Sequence, residues 1–278
     1  MTDLEQAIQA VEQGLKKPKS AGRKMQLAKR MAYYKVPGFS VALLEQGELA
    51  WAKGYGVMEA NTEKLVTTET IFQAASISKP VAAIVALQMV EAGQLELDTD
   101  VNEFLQTWKV KENKHTQVHK VTLRGLLSHT AGINIHGYPG YPSGSELPTT
   151  QQILNGKPPA TSKTVRVTQP PGTEFKYSGG GYIIVHQIIE DVTGRSLADL
   201  AQELIFDRLG MANSTFEHLL PEVYKPQTAI AHNRTGEPIP GKWHTYPEGA
   251  PASLWSTPSD LIRLMVEVYK SFHGTSNV

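Results

Sequence analysis

The chain contains no cysteine, and that absence removes several chemistries together. A thiol nucleophile, a disulfide framework, an iron–sulfur cluster and a cysteine-ligated zinc are all excluded. Net charge is missing as well, because Lys plus Arg number 27 and Asp plus Glu number 27. A neutral balance offers no electrostatic footprint for nucleic acid or an anionic membrane, so neither is expected as a partner. Long apolar runs are also lacking. The longest, residues 81–90, is interrupted by Gln88 and closed by Glu91, far short of the roughly 20 residues that span a bilayer. The start, Met1-Thr2-Asp3-Leu4-Glu5-Gln6, has neither the basic opening nor the apolar stretch of a signal peptide. A soluble, cytoplasmic protein is the expectation. No His-Glu-x-x-His occurs, and His115 and His119 lie among Lys111, Lys114 and Lys120, in what reads as a solvated loop. No metal is expected.

What is present is the composition of a globular domain: 278 residues, 40% hydrophobic and 19% charged. Leu4, Ala7, Ile8, Val11 and Leu15 recur at helical spacing over residues 3–15. A basic loop is expected over 16–24, broken by Pro18 and Gly22, then a second helix through Met31. Residues 38–44 and 48–56 are two apolar runs joined at Gln46-Gly47, which predicts a β-hairpin. Residues 76–92 form a helical pattern, apolar nearly all round and ending at Gly93, as in a helix buried in mid-domain. Further helices are expected over 121–128, 181–192 and 197–209, and a turn or short hairpin over 233–241. Thr257 as N-cap with Pro258 at the first helical position predicts the last helix, which stops near His273-Gly274. Residues 134–176, rich in Gly, Pro, Tyr, Ser and Thr, show no lasting periodicity. So long a loop is usually the wall of a binding site.

The chemistry concentrates in Phe72-Gln73-Ala74-Ala75-Ser76-Ile77-Ser78-Lys79-Pro80, which contains Ser-x-x-Lys. On a helix this spacing sets Lys79 one turn beyond Ser76 on the same face. A serine hydroxyl is a poor nucleophile without a base beside it. An apolar site and the positive end of a helix dipole both disfavour an ammonium, which suits Lys79 to that task. The amides of the helix start point toward an incoming oxyanion. Set against this, Ser76 also reads as a plain N-cap and Lys79 as a solvated first-turn residue. A second segment, Pro170-Pro171-Gly172-Thr173-Glu174-Phe175-Lys176-Tyr177-Ser178-Gly179-Gly180-Gly181-Tyr182, is a tight loop running into a helix.

Together the two segments resemble the β-lactamase-related serine hydrolases: class C β-lactamases, family VIII carboxylesterases and D-amino-acid peptidases of penicillin-binding-protein type. Leu126-Leu127-Ser128-His129-Thr130-Ala131-Gly132, Val36-Pro37-Gly38-Phe39-Ser40-Val41 and Leu254-Trp255-Ser256-Thr257-Pro258-Ser259-Asp260-Leu261 extend the likeness from about residue 27 to the end. The resemblance implies an α/β (α+β type) β-lactamase/transpeptidase-like fold, an antiparallel sheet beside a largely helical region. It implies that Ser76 becomes acylated, that Lys79 activates it, and that Tyr177 shares the proton transfers. The substrate would be a small acyl compound, an ester or amide, with no cofactor. An esterase is expected first, a β-lactamase or D-amino-acid peptidase second; a non-catalytic ligand-binding or oligomer-forming relative is the alternative from another class. Tyr138, Tyr141 and Trp243 are candidates to line the pocket, although such aromatics also serve as packing groups. His129 is expected to be structural.

Two departures from the family pattern follow. The second motif of the family is Tyr-x-Asn, and Gly179 stands where the Asn belongs. That removes a side-chain amide and points away from β-lactams. The third motif, Lys-Thr-Gly or His-x-Gly on a C-terminal strand, has no counterpart before Val278; Arg234-Thr235-Gly236 looks similar but is also ordinary turn chemistry. The division expected is 1–70 for an N-terminal helix and hairpin, 71–250 for a helical region with the motifs, and 251–278 for a helix returning to the hairpin. A lone hairpin is marginal and exposes unpaired edges. The expectation is therefore a shortened form of a longer protein, or a second copy completing the sheet by strand exchange.

Overall fold

A computed structural model describes residues 3–16 and 24–276. The first helix, α1 (Asp3–Gln13), precedes a short antiparallel pair, β1 (Leu15–Lys16) with β2 (Lys24–Met25), and then α2 (Leu27–Tyr34). Both expected helices are there. The basic loop pairs its ends as strands, and its residues 17–23 lie outside the described residues.

The hairpin forms as patterned, β3 (Gly38–Glu45) against β4 (Glu48–Gly56), with a register shift between Leu43 and Leu44. Gln46 at φ 51 and Gly47 at φ 81 make the two-residue turn, where positive φ at both positions matches the strand twist. Gly54 has no room for a side chain, since a Cβ there would lie 2.2 Å from the Val66 carbonyl oxygen. Among the described residues the sheets are two-stranded, and this hairpin has no third strand.

A second short pair locks the chain's two halves together: β5 (Phe72–Gln73) runs antiparallel to β6 (Trp255–Ser256). Directly after β5 comes a 3₁₀ turn, Ala75–Ile77, which leads into α3 (Ser78–Glu91). The structure corrects the expectation of an α-helix from Ser76, because Ser76 and Ile77 belong to the 3₁₀ turn, which Ala75 opens at φ 45, and the α-helix begins at Ser78. It also corrects the expectation that this helix is buried all round. Val81, Ala82, Val85, Ala86 and Met89 enter the main core, where each large aliphatic side chain contributes roughly 1.5–3 kcal/mol. Ile77, Pro80 and Ile84 face outward instead, into an apolar groove of about 640 Å³ shared with the last helix.

Beyond α3 the chain is mainly helical. The helix α4 (Leu123–Leu127) is capped by Thr122, whose Oγ1 accepts from the Gly125 amide. The segment 134–176 is not wholly irregular, which is a third correction. It contains α5 (Thr150–Asn155), closed by a capping box between Thr149 and Gln152. The central helix α6 (Gly179–Thr193) starts at the Ser178 cap and is buried throughout Gly179–Ile189. Next are α7 (Leu197–Ala201), a π-turn at Gln202–Phe206 and α8 (Asp207–Leu209), continuous in direction. A one-turn helix, α9 (Gly249–Ala252), packs between α3 and α6, and α10 (Pro258–Phe272) closes over β3 and β4. Thr257 caps α10 and Gly274 follows it at φ 66. No helix among the described residues is long and apolar enough to cross a membrane.

Candidate active site

The site grows from the strained turn ahead of α3. A residue with a Cβ at positive φ costs on the order of 1–3 kcal/mol, and the neighbours of Ala75 hold it there. Ser78 Oγ donates to the Ala75 carbonyl at 2.5 Å and accepts from the Leu254 amide at 2.9 Å. The Ala74 amide donates to the Leu254 carbonyl at 2.8 Å. These bonds turn Ser76 outward, where it is exposed.

Lys79 lies beneath it, only 4% exposed. Its Nζ donates to Ser76 Oγ at 3.0 Å and to the Pro251 carbonyl oxygen at 2.9 Å. The i to i+3 spacing carries across the junction of the 3₁₀ turn with α3 and sets the two side chains on one face.

Tyr177 completes the group from the residue before the α6 cap. Burial pushes its phenol up, but hydrogen bonds with Lys79 and Ser76, and the Lys79 charge, outweigh that and hold it below the ordinary tyrosine value. The Lys79 Nζ lies 5.0 Å from its ring centroid. His129 and His136 flank the ring, with centroids at 4.5 and 4.9 Å. His129 Nδ1 accepts from the Ser178 amide at 3.2 Å, and the His129 carbonyl accepts from Lys176 at 2.7 Å. Burial, then the Lys79 charge, lowers the His129 pKa. A neutral imidazole with an accepting Nδ1 is the form this contact needs. Its contacts are those of a support for the Tyr177 loop.

Gly179 sits beside Tyr177 with its amide donating to the His136 carbonyl at 3.1 Å. A Cβ at this position would lie 3.1 Å from Tyr138 Cε2 and 3.2 Å from the His136 oxygen. The space an Asn side chain would leave through is therefore taken by Tyr138. The Tyr138 hydroxyl is out of solvent without a hydrogen-bond partner, and burial raises its pKa well above the usual value.

The other two aromatic candidates go elsewhere. Tyr141 is 3% exposed, and its hydroxyl accepts from the Thr161 amide at 3.1 Å. Trp243 packs edge-on to Trp255 at 5.4 Å, in a small cluster with Ile71 and Leu220. The structure thus brings Ser76, Lys79 and Tyr177 together with Gly179 and Tyr138 alongside, and sets Tyr141 and Trp243 in packing positions. Arg234-Thr235-Gly236 is turn chemistry: Asn233 Oδ1 accepts from the Thr235 and Glu237 amides, and Gly236, at φ 88, lies against Lys35. Among the described residues no group of histidines and carboxylates could hold a metal.

Two features have no local sequence signal. One is the Pro251 carbonyl, which reaches Lys79 only through the fold. The other, outside the trio, is Glu248, an acidic residue between Pro247 and Gly249 that reads as loop but is 0% exposed.

The sequence matches the Beta-lactamase family over residues 25–275, and the chain belongs to that family of serine hydrolases. Its fold is β-lactamase/transpeptidase-like. Penicillin-binding protein 4 of Amycolatopsis lactamdurans is 31% identical over 222 residues, 79% of this chain and 52% of the relative. Unguisins hydrolase ungD of Aspergillus violaceofuscus is 25% identical over 228 residues, 77% of this chain and 39% of that protein. The octameric penicillin-binding protein homologue from Pyrococcus abyssi superimposes with a TM-score of 0.71 at 26% identity, covering 90% of this chain and 56% of that one. The chain spans about half, or less, of the length of these curated relatives.

Proposed function

We propose that the protein hydrolyses a small ester, or a related acyl compound, through an acyl intermediate on Ser76. The observation that carries this reading is the buried Lys79 Nζ at 3.0 Å from Ser76 Oγ and 5.0 Å from the Tyr177 ring centroid, with Lys79 and Ser76 together holding the phenol below the ordinary tyrosine value. In acylation the Ser76 proton passes to the Tyr177 phenolate as Oγ bonds to the substrate carbonyl carbon. Lys79 stabilises the phenolate and orients Oγ. The carbonyl oxygen takes the negative charge, facing the Ser76 amide at the head of the turn. Collapse breaks the bond to the leaving group, which takes the proton from Tyr177. Water then attacks the acyl carbon, gives a proton to the same pair, and releases the acid with Ser76 restored.

Gly179 and the Tyr138 ring beside it support an ester over a β-lactam, because no side-chain amide is available there to bind a lactam substituent. A short p-nitrophenyl ester, a chromogenic cephalosporin and a D-alanyl peptide, assayed side by side, test the choice. Turnover is expected first on the ester; cleavage of the cephalosporin alone overturns it. Tyr177→Phe is expected to lower kcat/KM by about 10²–10⁴-fold. The phenolate is the accepting form, so activity rises as pH climbs through the lowered Tyr177 value, and the Phe variant loses that limb. An unchanged limb would remove Tyr177 from the proton path.

We further propose that a second copy covers the groove between α3 and α10, next to the open hairpin. Phe272 is 85% exposed and Met265 52% exposed along it, and the Pyrococcus relative is described as octameric. Light scattering is expected to give a dimer or larger species that Val268→Glu shifts to monomer. A monomeric wild type at micromolar concentration contradicts this.

A further inference from the structure

The most unusual titratable group outside the trio is Glu248. Its side chain is completely buried, yet neither carboxylate oxygen reaches a hydrogen-bond partner, and it makes no cap bond to the helix that follows. The Tyr141 hydroxyl is the polar group nearest in effect; it accepts from the Thr161 amide and keeps its own proton to donate. A buried carboxylate in such surroundings is strongly disfavoured against the neutral acid.

Its position in the chain gives this consequence. Glu248 is the first residue of the turn that becomes α9, and its carbonyl accepts from the Ala252 amide at 3.0 Å. Within that turn Pro251 offers its carbonyl to Lys79 at 2.9 Å. Three residues beyond Pro251, Leu254 is bonded to both Ser78 and Ala74, on either side of Ser76. On the opposite side α9 has no slack, since a Cβ on Gly249 would lie 2.4 Å from the His186 ring. A shift at Glu248 is therefore passed to the carbonyl that aims Lys79.

We propose that Glu248 is a positioning residue for Lys79, acting as a neutral carboxylic acid whose ionisation displaces α9 and withdraws the Pro251 carbonyl. This rests on the acyl-serine reading above. Burial raises the Glu248 pKa to about 7, outweighing the opposing influence of its own backbone amide and of Tyr141. The titratable groups facing it are Tyr138, Tyr141 and Tyr246 from the surrounding loops, while His186 of α6 lies against Gly249 and Lys79 of α3 is reached through Pro251. The direction for stability follows from linkage. Between about 4.5 and about 7 the folded protein keeps a proton that the unfolded chain has released, so this group lowers stability as pH rises through that window and then levels.

The test compares wild type, Glu248→Gln and Glu248→Ala. The readouts are the rate of Ser76 labelling by a fluorophosphonate and kcat/KM on the ester, from pH 5 to pH 9, with thermal midpoints on the same samples. Gln, a neutral isostere, is expected within about threefold of wild type at pH 6 and to lose the fall in rate that wild type shows near pH 7. Its midpoint should no longer decline between about 4.5 and about 7, as wild type's does. Ala is expected to lose at least tenfold in kcat with little change in KM. If Ala does not fold, the Gln profile alone decides. The same alkaline fall in wild type and Gln overturns the role of Glu248, as does a Gln variant as slow as Ala. A wild type that is never labelled at Ser76 overturns the acyl-serine reading, and this proposal with it; a labelled wild type with unaltered profiles overturns this proposal alone.

Discussion

Ser76→Ala is expected to abolish turnover, with a loss of about 10⁴-fold or more in kcat while the fold persists. The hydroxyl is exposed and its side chain supports nothing in the core, so removing it costs chemistry and not packing. The bond it accepts from Lys79 is one the amine can replace with water, while Pro251 continues to hold the amine. Groups that act as a unit lose nearly all their effect when one is removed, so adding Tyr177→Phe to Ser76→Ala should cost little more. Steady-state kinetics on the ester, with circular dichroism as the control, check both statements. A Ser76→Ala protein retaining a tenth of wild-type activity contradicts the assignment.

Lys79→Met is the second large effect. The methionine side chain fills most of the same volume, so α3 should keep its place against the core. Two consequences then separate. The Pro251 carbonyl, buried and deprived of its donor, is left unsatisfied at a cost of about 1–3 kcal/mol, read as a lower thermal midpoint. The rate falls by about 10³-fold or more, because Ser76 loses its orienting donor and Tyr177 loses the charge that holds its phenol low. The Tyr177 titration should move upward in the same variant, since burial, which raises it, is then less opposed. Lys79→Arg should not restore the rate: its planar fork cannot reproduce a single amine placed between two oxygens. Ultraviolet difference titration of tyrosinate follows the shift, and an unmoved Tyr177 in Lys79→Met contradicts the coupling.

Much of the framework was legible because short-range physics sets it. Gln46-Gly47 between two apolar runs dictates the hairpin, and Thr257-Pro258 with Gly274 brackets α10. Ser-x-x-Lys put Lys79 under Ser76 at the observed spacing, and the loop before α6 delivered Tyr177 beside them. The features that were not legible depend on distant partners. α5 is a single six-residue segment, too short to show a period, although its Thr149–Gln152 capping box was present to be read. β5 and β6 are two residues each, and nothing local pairs Phe72 with Ser256. The apolar outer face of α3 looked like the mark of a fully buried helix, but composition does not distinguish a core from a groove. Trp243 had the residue type of a pocket wall and the surroundings of a packing residue, a difference set by Trp255. Glu248 is the strongest case, because its burial comes from the way α9 is wedged between α3 and α6.

The most direct measurement is intact-mass and peptide analysis of wild-type protein treated with a fluorophosphonate. One adduct per chain is expected, on the peptide that carries Ser76, formed as its oxygen displaces fluoride. Labelling should slow sharply in Lys79→Met. Correctly folded protein that takes up no label, or takes it up on another residue, contradicts the assignment of Ser76 as nucleophile.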